Sequence, residues 1–266
     1  LGKLEINKGF VQFVKNKNGS NFEAFLRSKK EKDENPEVNY AKLLHRLSSK
    51  LLDLVPTDMH VKGFAFKIDD NGNQVAFDFS KLILADKKLN TLIQVSSENF
   101  TQQWAVNGFA DPRERKADLQ FYNPKSDTIQ IPYLDKKFNL KTGFKSIHFN
   151  LDNLSMSGGK LNIDGYASIQ NLLVNHKKIA SKDVIIKNAR FDYRWVVGSR
   201  FIALDSASIM QLNDIKCKPY VSYTNEEDKI YALQLKIDKM KAQDFINSLP
   251  IGLFHHFEGM EAQGNF

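Results

Sequence analysis

The chain is poor in the residue types that would name a chemistry. It holds one cysteine, Cys217, so it can form no internal disulfide and no cysteine-based metal site. No apolar run approaches the roughly 20 residues that a membrane-crossing helix requires. The signatures G-x-S-x-G, G-x-G-x-x-G, the P-loop and H-E-x-x-H are all missing. His255, His256 and Glu258 give only H-H-x-E, whose neighbouring side chains point apart. Asp69–Asp70–Asn71–Gly72–Asn73 lacks the downstream glutamate of a calcium loop and reads as a hairpin turn. Neither a metal nor a cofactor site is expected. The net charge of +7 comes from lysines spread along the chain, with pairs at Lys87–Lys88, Lys136–Lys137 and Lys177–Lys178, mostly where turns are expected. Nucleic-acid binding would need a concentrated basic stripe, so no nucleic acid is expected as a partner.

What is present is a repeated strand pattern. Residues 75–90, VAFDFSKLILADKKLN, align without a gap with residues 147–162, IHFNLDNLSMSGGKLN. Val75 falls on Ile147, Phe77 on Phe149, Phe79 on Leu151, Leu82 on Leu154 and Leu84 on Met156. A second cadence links VKGFAFKI (61–68), IKNARFDY (186–193) and INKGFVQF (6–13), and VAFDFSKL (75–82) pairs with IALDSASI (202–209). The copies are unevenly spaced, unlike a solenoid or propeller of fixed period. The pattern reads as one sheet that keeps adding hairpins.

Strand alternation opens the chain at Ile6, Phe10 or Val11, and Phe13, and Asn18–Gly19 supplies a tight turn. Residues 28–39 carry almost no apolar side chain and read as an exposed or disordered loop, and a short helix is weighed at Asn21–Phe25. From Tyr40 to Leu54 the period becomes helical, with Leu43, Leu44, Leu47, Leu51, Leu52 and Leu54 on the stripe and Pro56 ending it. From Asp58 onward short strands follow one another at about ten-residue spacing, the mark of an antiparallel β protein. TIQIPYL (128–134) is read as one of them, and a last short helix is placed at Ala242–Leu249. The expectation is a mainly β chain: one elongated domain over 1–266, with a loop-and-helix insert at 28–57 and the repeated-strand sheet at 58–266. Leu1 enters in mid-pattern and EAQGNF reads as a strand beginning, so the chain is read as a piece of a longer protein.

LEINKGFVQFVKNKNGSNFEAFL, with Gly9, Gly19, Asn21 and Phe22, resembles segments of the AsmA-like envelope proteins, in which strand, glycine, strand and asparagine–phenylalanine recur. IASKDVIIKNARFDYR and the tail KMKAQDFINSLPIGLFHHFEGMEAQGNF have the same cadence. The resemblance is one of pattern. It implies a long, curved antiparallel sheet whose open apolar groove binds or conducts lipid acyl chains, in outer-membrane maintenance. It also implies the periplasmic side of a bacterial envelope, held there by a membrane anchor outside this sequence, and no enzymatic activity.

The expected lipid-facing residues are Phe64, Phe66, Val75, Phe77, Phe79, Ile147, Phe149, Leu151, Phe191 and Tyr193. A half-buried sheet needs a cover over its apolar face, and three covers remain open: a second sheet closing a sandwich, the Tyr40–Leu54 helix, or acyl chains. The competing function is a scaffolding module that binds other envelope proteins by a sheet edge or the helix. A glycan hydrolase, weaker still, would need a carboxylate pair such as Asp152 and Asp164 facing each other in a cleft. In FDYRWVV, alternation puts Trp195 inside and Arg194 outside.

Overall fold

A computed structural model describes residues 2–21, 39–98, 100–226, 228–257 and 259–265. In chain order its elements are β1 (Lys3–Asn16), β2 (Gly19–Ser20), α1 (Tyr40–Leu54), β3 (Asp58–Asp70), β4 (Asn73–Ala85), β5 (Lys88–Ser97), β6 (Phe100–Asp111) and β7 (Lys116–Tyr122). Then come β8 (Ile129–Gln130), α2 (Pro132–Phe138), β9 (Lys141–Phe144), β10 (Ser146–Ser157), β11 (Lys160–Asn175), β12 (Val184–Val197) and β13 (Phe201–Leu204). The chain closes with β14 (Ile209–Leu212), β15 (Ile215–Asn225), β16 (Lys229–Ile237), α3 (Ala242–Ser248) and a 3-10 turn at His255–Phe257.

The protein is mainly β, and all sixteen strands join one sheet. A second sheet packed on the first is therefore not how the apolar face is covered among the described residues. Nearly every ladder is antiparallel, as hairpin connections require. The exception is β1, which pairs parallel to β3 from Lys3↔Asp58 to Lys15↔Asp70. Parallel neighbours need a crossover, and α1 lies in that connection. The sheet thus takes in residues 3–20 as well as the strands after Asp58. The weighed helix at Asn21–Phe25 and the loop at 28–39 fall almost wholly outside the described residues. At the other end, EAQGN forms a single bridge, Asn265 to Lys241, in place of the expected strand.

Two bulges decide which way the strands face. In β4, Phe79 opposes Ile93 and Lys81 opposes Leu92, so Ser80 is an extra residue. In β10, Leu151 opposes Gly165 and Asn153 opposes Asp164, so Asp152 is extra. An unbroken strand alternates faces, and a step of three from Phe79 to Leu82 would turn the side chain over. The extra residue cancels that turn. Val75, Phe77, Phe79, Leu82 and Leu84 consequently share a face, as do Ile147, Phe149, Leu151, Leu154 and Met156. The two bulges fall at aligned positions of the repeat. A step of three also recurs in β3, from Val61 to Phe64, where Gly63 takes a φ of 62°.

Three hairpins turn on two consecutive left-handed residues: Asn71–Gly72, Asp86–Lys87 and Gly158–Gly159. The middle pair lacks glycine and is held from outside. Lys87 pairs with the nearly buried Asp111 at 2.6 Å, and the Ala110 amide donates to the Lys87 carbonyl at 2.8 Å. Helix α1 starts at Asn39, whose side chain accepts from the Lys42 amide at 3.0 Å. Its Ala41 packs with Leu154, Leu161 and Val197, beside Tyr40, Met156, Ile163 and Ile202. This is the main core cluster, and it sits at the strand ends beyond the bulges. Leu44 and Leu47, expected on the buried stripe, are exposed. Polar contacts set the helix's rotation there: Tyr40 and Ala41 amides donate to the Ser199 and Gly198 carbonyls, and His45 and Ser49 meet Arg115.

TIQIPYL is not a strand. Only Ile129–Gln130 pairs, and Pro132 begins α2. The signals were present: proline suits the first helical turn, lysines at 136 and 137 suit the last, and Asn139 closes it in the left-handed region at φ 53°. In IALDSASI, Ile202 and Leu204 follow the repeat, but the strand breaks over Asp205–Ser208. Ile209 then opposes Asp192 on the far face, and Met210 takes the apolar side opposite Phe191.

Candidate functional site: an apolar sheet face

Tracing the ladders strand by strand puts one row of side chains across the sheet. From β1 to β15 it runs Ile6, Val61, Leu82, Thr91, Val106, Phe121, Ile147, Ile169, Ala189, Leu212, Ile215. Eleven strands contribute, and only Thr91 is polar. The row beside it on the opposite face reads Asn107, Gln120, His148, Ser168, Arg190, Gln211. The sheet is thus apolar on one side across these eleven strands and polar on the other from β6 to β14.

All ten candidate lipid-facing residues lie on the apolar side. Phe64 opposes Phe79, Phe66 opposes Phe77 and Ile68 opposes Val75; Ile147, Phe149 and Leu151 follow in β10, and Phe191 and Tyr193 oppose Ala167 and Gly165. They form two groups, one on β3 and β4 and one on β10 and β12, separated by β5, β6 and β7. None of them is buried, and Phe149 is 39% exposed. Trp195 shares the face, half-buried, while Arg194 is exposed on the other side.

Sequence reasoning missed the aromatic file that joins part of this face. Phe13, Phe66, Phe77, Trp104, Phe121 and Phe144 stand in succession at centroid separations of 5.1, 6.2, 5.9, 5.1 and 5.9 Å. Such tilted and edge-on pairs add to what area burial gives. Phe121 opposes Val106, and Trp104 is its diagonal neighbour only through the pairing of β6 with β7, which no single strand displays. Helix α2 roofs one end of the file. Under it lies a cavity of about 210 Å³ lined by Ile68, Val75, Phe77, Val95, Trp104, Pro132 and Tyr133 among others.

Helix α2 is tied down by the lysines that had been assigned to a turn. Lys137 pairs with Asp70, whose carboxylate also accepts from the Tyr133 hydroxyl at 2.8 Å. Lys136 pairs with Glu98 at 2.5 Å. The Lys137 ammonium and the Tyr133 hydroxyl hold the Asp70 carboxyl down at about 2. A depressed carboxyl contributes stability above its unfolded value, near 3.9, and loses it as pH falls through the folded value. Acid titrations of the native protein and Asp70→Asn should therefore differ at neutral pH and converge between about pH 4 and 2. Parallel curves over that window would show that the latch contributes nothing.

Tyr193 also ties the sheet together. Its hydroxyl donates to the Asn150 carbonyl at 2.8 Å, crossing over Gly165 to reach the backbone beside the Asp152 bulge. On the polar face, His148 meets Asp118 at 2.6 Å, Tyr166 meets His148, and Arg190 stacks 3.8 Å over Tyr166 while pairing with Asp192. This cluster links four strands. Asp152 and Asp164 lie on the same polar side, and Asp164 accepts from Asn153 at 2.8 Å. Cys217 is buried, its thiol pushed up by desolvation. No group of metal-ligating side chains occurs among the described residues, and no helix among them is long and apolar enough to cross a membrane. No protein-family model, curated protein or solved structure matches the chain.

Proposed function

We propose that this chain is a non-enzymatic, AsmA-like segment of a bacterial envelope protein that holds lipid acyl chains along its apolar face, in outer-membrane maintenance. The observation that carries the reading is the row of eleven strands with one polar member, lying on one continuous sheet where Phe149 and the other candidate residues stay at least partly exposed. A protein interior would bury them in close packing. Here α1 and α2 cover the ends of the face, and the middle around Phe149 is open. An acyl chain laid there gains about 0.8 kcal/mol for each buried CH₂. Residence on the periplasmic side, behind a membrane anchor outside this sequence, belongs to the same proposal.

The two phenylalanines first matched in the repeat now separate function from folding. Phe77 stands inside the aromatic file, whereas Phe149 makes no ring contact there and is the more exposed. Native mass spectrometry, then uptake of a fluorescent fatty acid by the extracted protein, provides the test. Wild type should carry and retake lipid. Phe149→Asp should retain at least tenfold less, because an acyl chain beside a carboxylate forfeits more than about 1.4 kcal/mol, yet melt within a few degrees of wild type. Phe77→Asp should lower both. A wild-type protein that is lipid-free and takes up none would sink the proposal.

A further inference from the structure

Strand β16 forms one lateral border of the sheet. Its sequence, KIYALQLKI, pairs with β15 over nine positions without a register shift, from Cys217↔Ile237 to Asn225↔Lys229. Among the described residues nothing pairs with its other edge. Tyr231, Leu233 and Leu235, opposite Tyr223, Val221 and Pro219, extend the apolar face and are 74%, 82% and 53% exposed. Natural sheet edges are usually guarded by proline, a bulge, an inward charge or a covering loop. β16 has none of these in its middle, and its two lysines stand near its ends.

We propose that β16 pairs antiparallel with β16 of a second copy of this chain, about a two-fold axis at Ala232. Residues directly opposed in an antiparallel ladder share a face. Only registers that oppose odd-numbered residues to odd-numbered ones therefore keep the two apolar faces continuous. Centring on Ala232 does so, sets Tyr231 against the partner's Leu233 twice, and puts the smallest side chain of the strand on the axis. It also sets Asp228 opposite the partner's Lys236, twice, while Glu226 and Asp238, both outside the strand, come level beyond them, Asp238 already paired with Lys218 at 3.5 Å. Asp228 and Lys236 are both exposed and have no ion pair among the described residues. Centring on Leu233 would oppose Asp228 to Asp238. Centring on Tyr231 would exchange the aspartate for Glu226, three residues outside the strand. A two-fold contact of this kind is closed and self-complementary. It would double the width of the sheet, whether or not the apolar face carries lipid.

Sedimentation velocity of the purified chain over a concentration series tests the contact. Wild type should sediment as a dimer. Asp228→Lys and Lys236→Asp should each weaken dimerisation about tenfold by opposing like charges twice, and the double variant D228K/K236D should restore it. Ala232→Cys should form an intermolecular disulfide on mild oxidation, since the two side chains meet at the axis, while Gln234→Cys should not. All these positions are exposed, and circular dichroism checks that the sheet persists. A wild-type monomer throughout, a double variant that stays dissociated, or cross-linking at 234 rather than 232 overturns the proposal.

Discussion

Inserting an alanine after Ser80 should leave the protein unfolded at room temperature, whereas Ser80→Ala should be nearly silent. Ser80 is exposed, and its hydroxyl makes one long contact, 3.3 Å to the Leu92 carbonyl. As a side chain it is worth little. As the extra residue of the bulge it sets the facing of everything after it in β4. With one residue more beside it, Leu82 and Leu84 turn to the polar side and Lys81 and Ile83 turn inward, because a slip of one residue exchanges the faces of a strand. Leu84 is 1% exposed, so exposing it and Leu82 costs about 1.5–3 kcal/mol each. Burying Lys81 without a partner adds several more. The sum is comparable with the roughly 5–15 kcal/mol that holds a domain folded. Inserting an alanine after Asp152 should act the same way on Leu154 and Met156. Far-ultraviolet circular dichroism and urea titration of the insertions decide the matter. An insertion variant that keeps native stability would show that the register beyond the bulges does not set the facing.

Gly165→Ala should strongly destabilise the middle of the sheet. A methyl group there would lie 2.2 Å from the Asn150 carbonyl oxygen and 2.7 Å from the Tyr193 hydroxyl. The first is backbone and cannot swing aside. The methyl would drive Tyr193 off its hydrogen bond and pry β10 from β11 beside the bulge. A loss of at least about 3 kcal/mol is expected, or a melting temperature lower by roughly 6–12 °C for a chain of this size. Two controls divide the effect. Tyr193→Phe removes the hydroxyl without a clash and should cost about 1 kcal/mol. Gly158→Ala, in an open turn at φ 56°, should cost about 1–2 kcal/mol for left-handed backbone alone. If Gly165→Ala is no worse than Gly158→Ala by thermal melting, the close approach of β10, β11 and Tyr193 is wrong.

The aligned patterns at 75–90 and 147–162 therefore carried more than two similar strands. Their shared step of three is the trace of a bulge, and the gapless match already contained it. Reading alternation as unbroken would have sent Leu82 and Leu154 to the wrong side. The candidate residues were legible because period two is a local property: Val75, Phe77 and Phe79 share a face whatever surrounds them. Helix α1 was legible by its period, but Leu44 and Leu47 were misplaced, since that helix takes its rotation from Arg115, Gly198 and Ser199, residues remote in sequence. Helix α2 was missed because an apolar stretch of seven residues fits either strand or helix, and Pro132 and Asn139 were not weighed as its boundaries.

By itself the sequence determined a mainly β chain, the two-sidedness of each strand, and the absence of any recognisable catalytic motif, for these follow from the composition and spacing of neighbouring residues. Only the tertiary structure decided the order of the strands. That order brings the two candidate groups onto one face, lines up the aromatic file across strands, ties Lys137 to Asp70 and leaves β16 at an edge. The physical reason is that register between strands is set by hydrogen bonds and side-chain pairs between distant segments. A single strand carries its own alternation but not the identity of its neighbour.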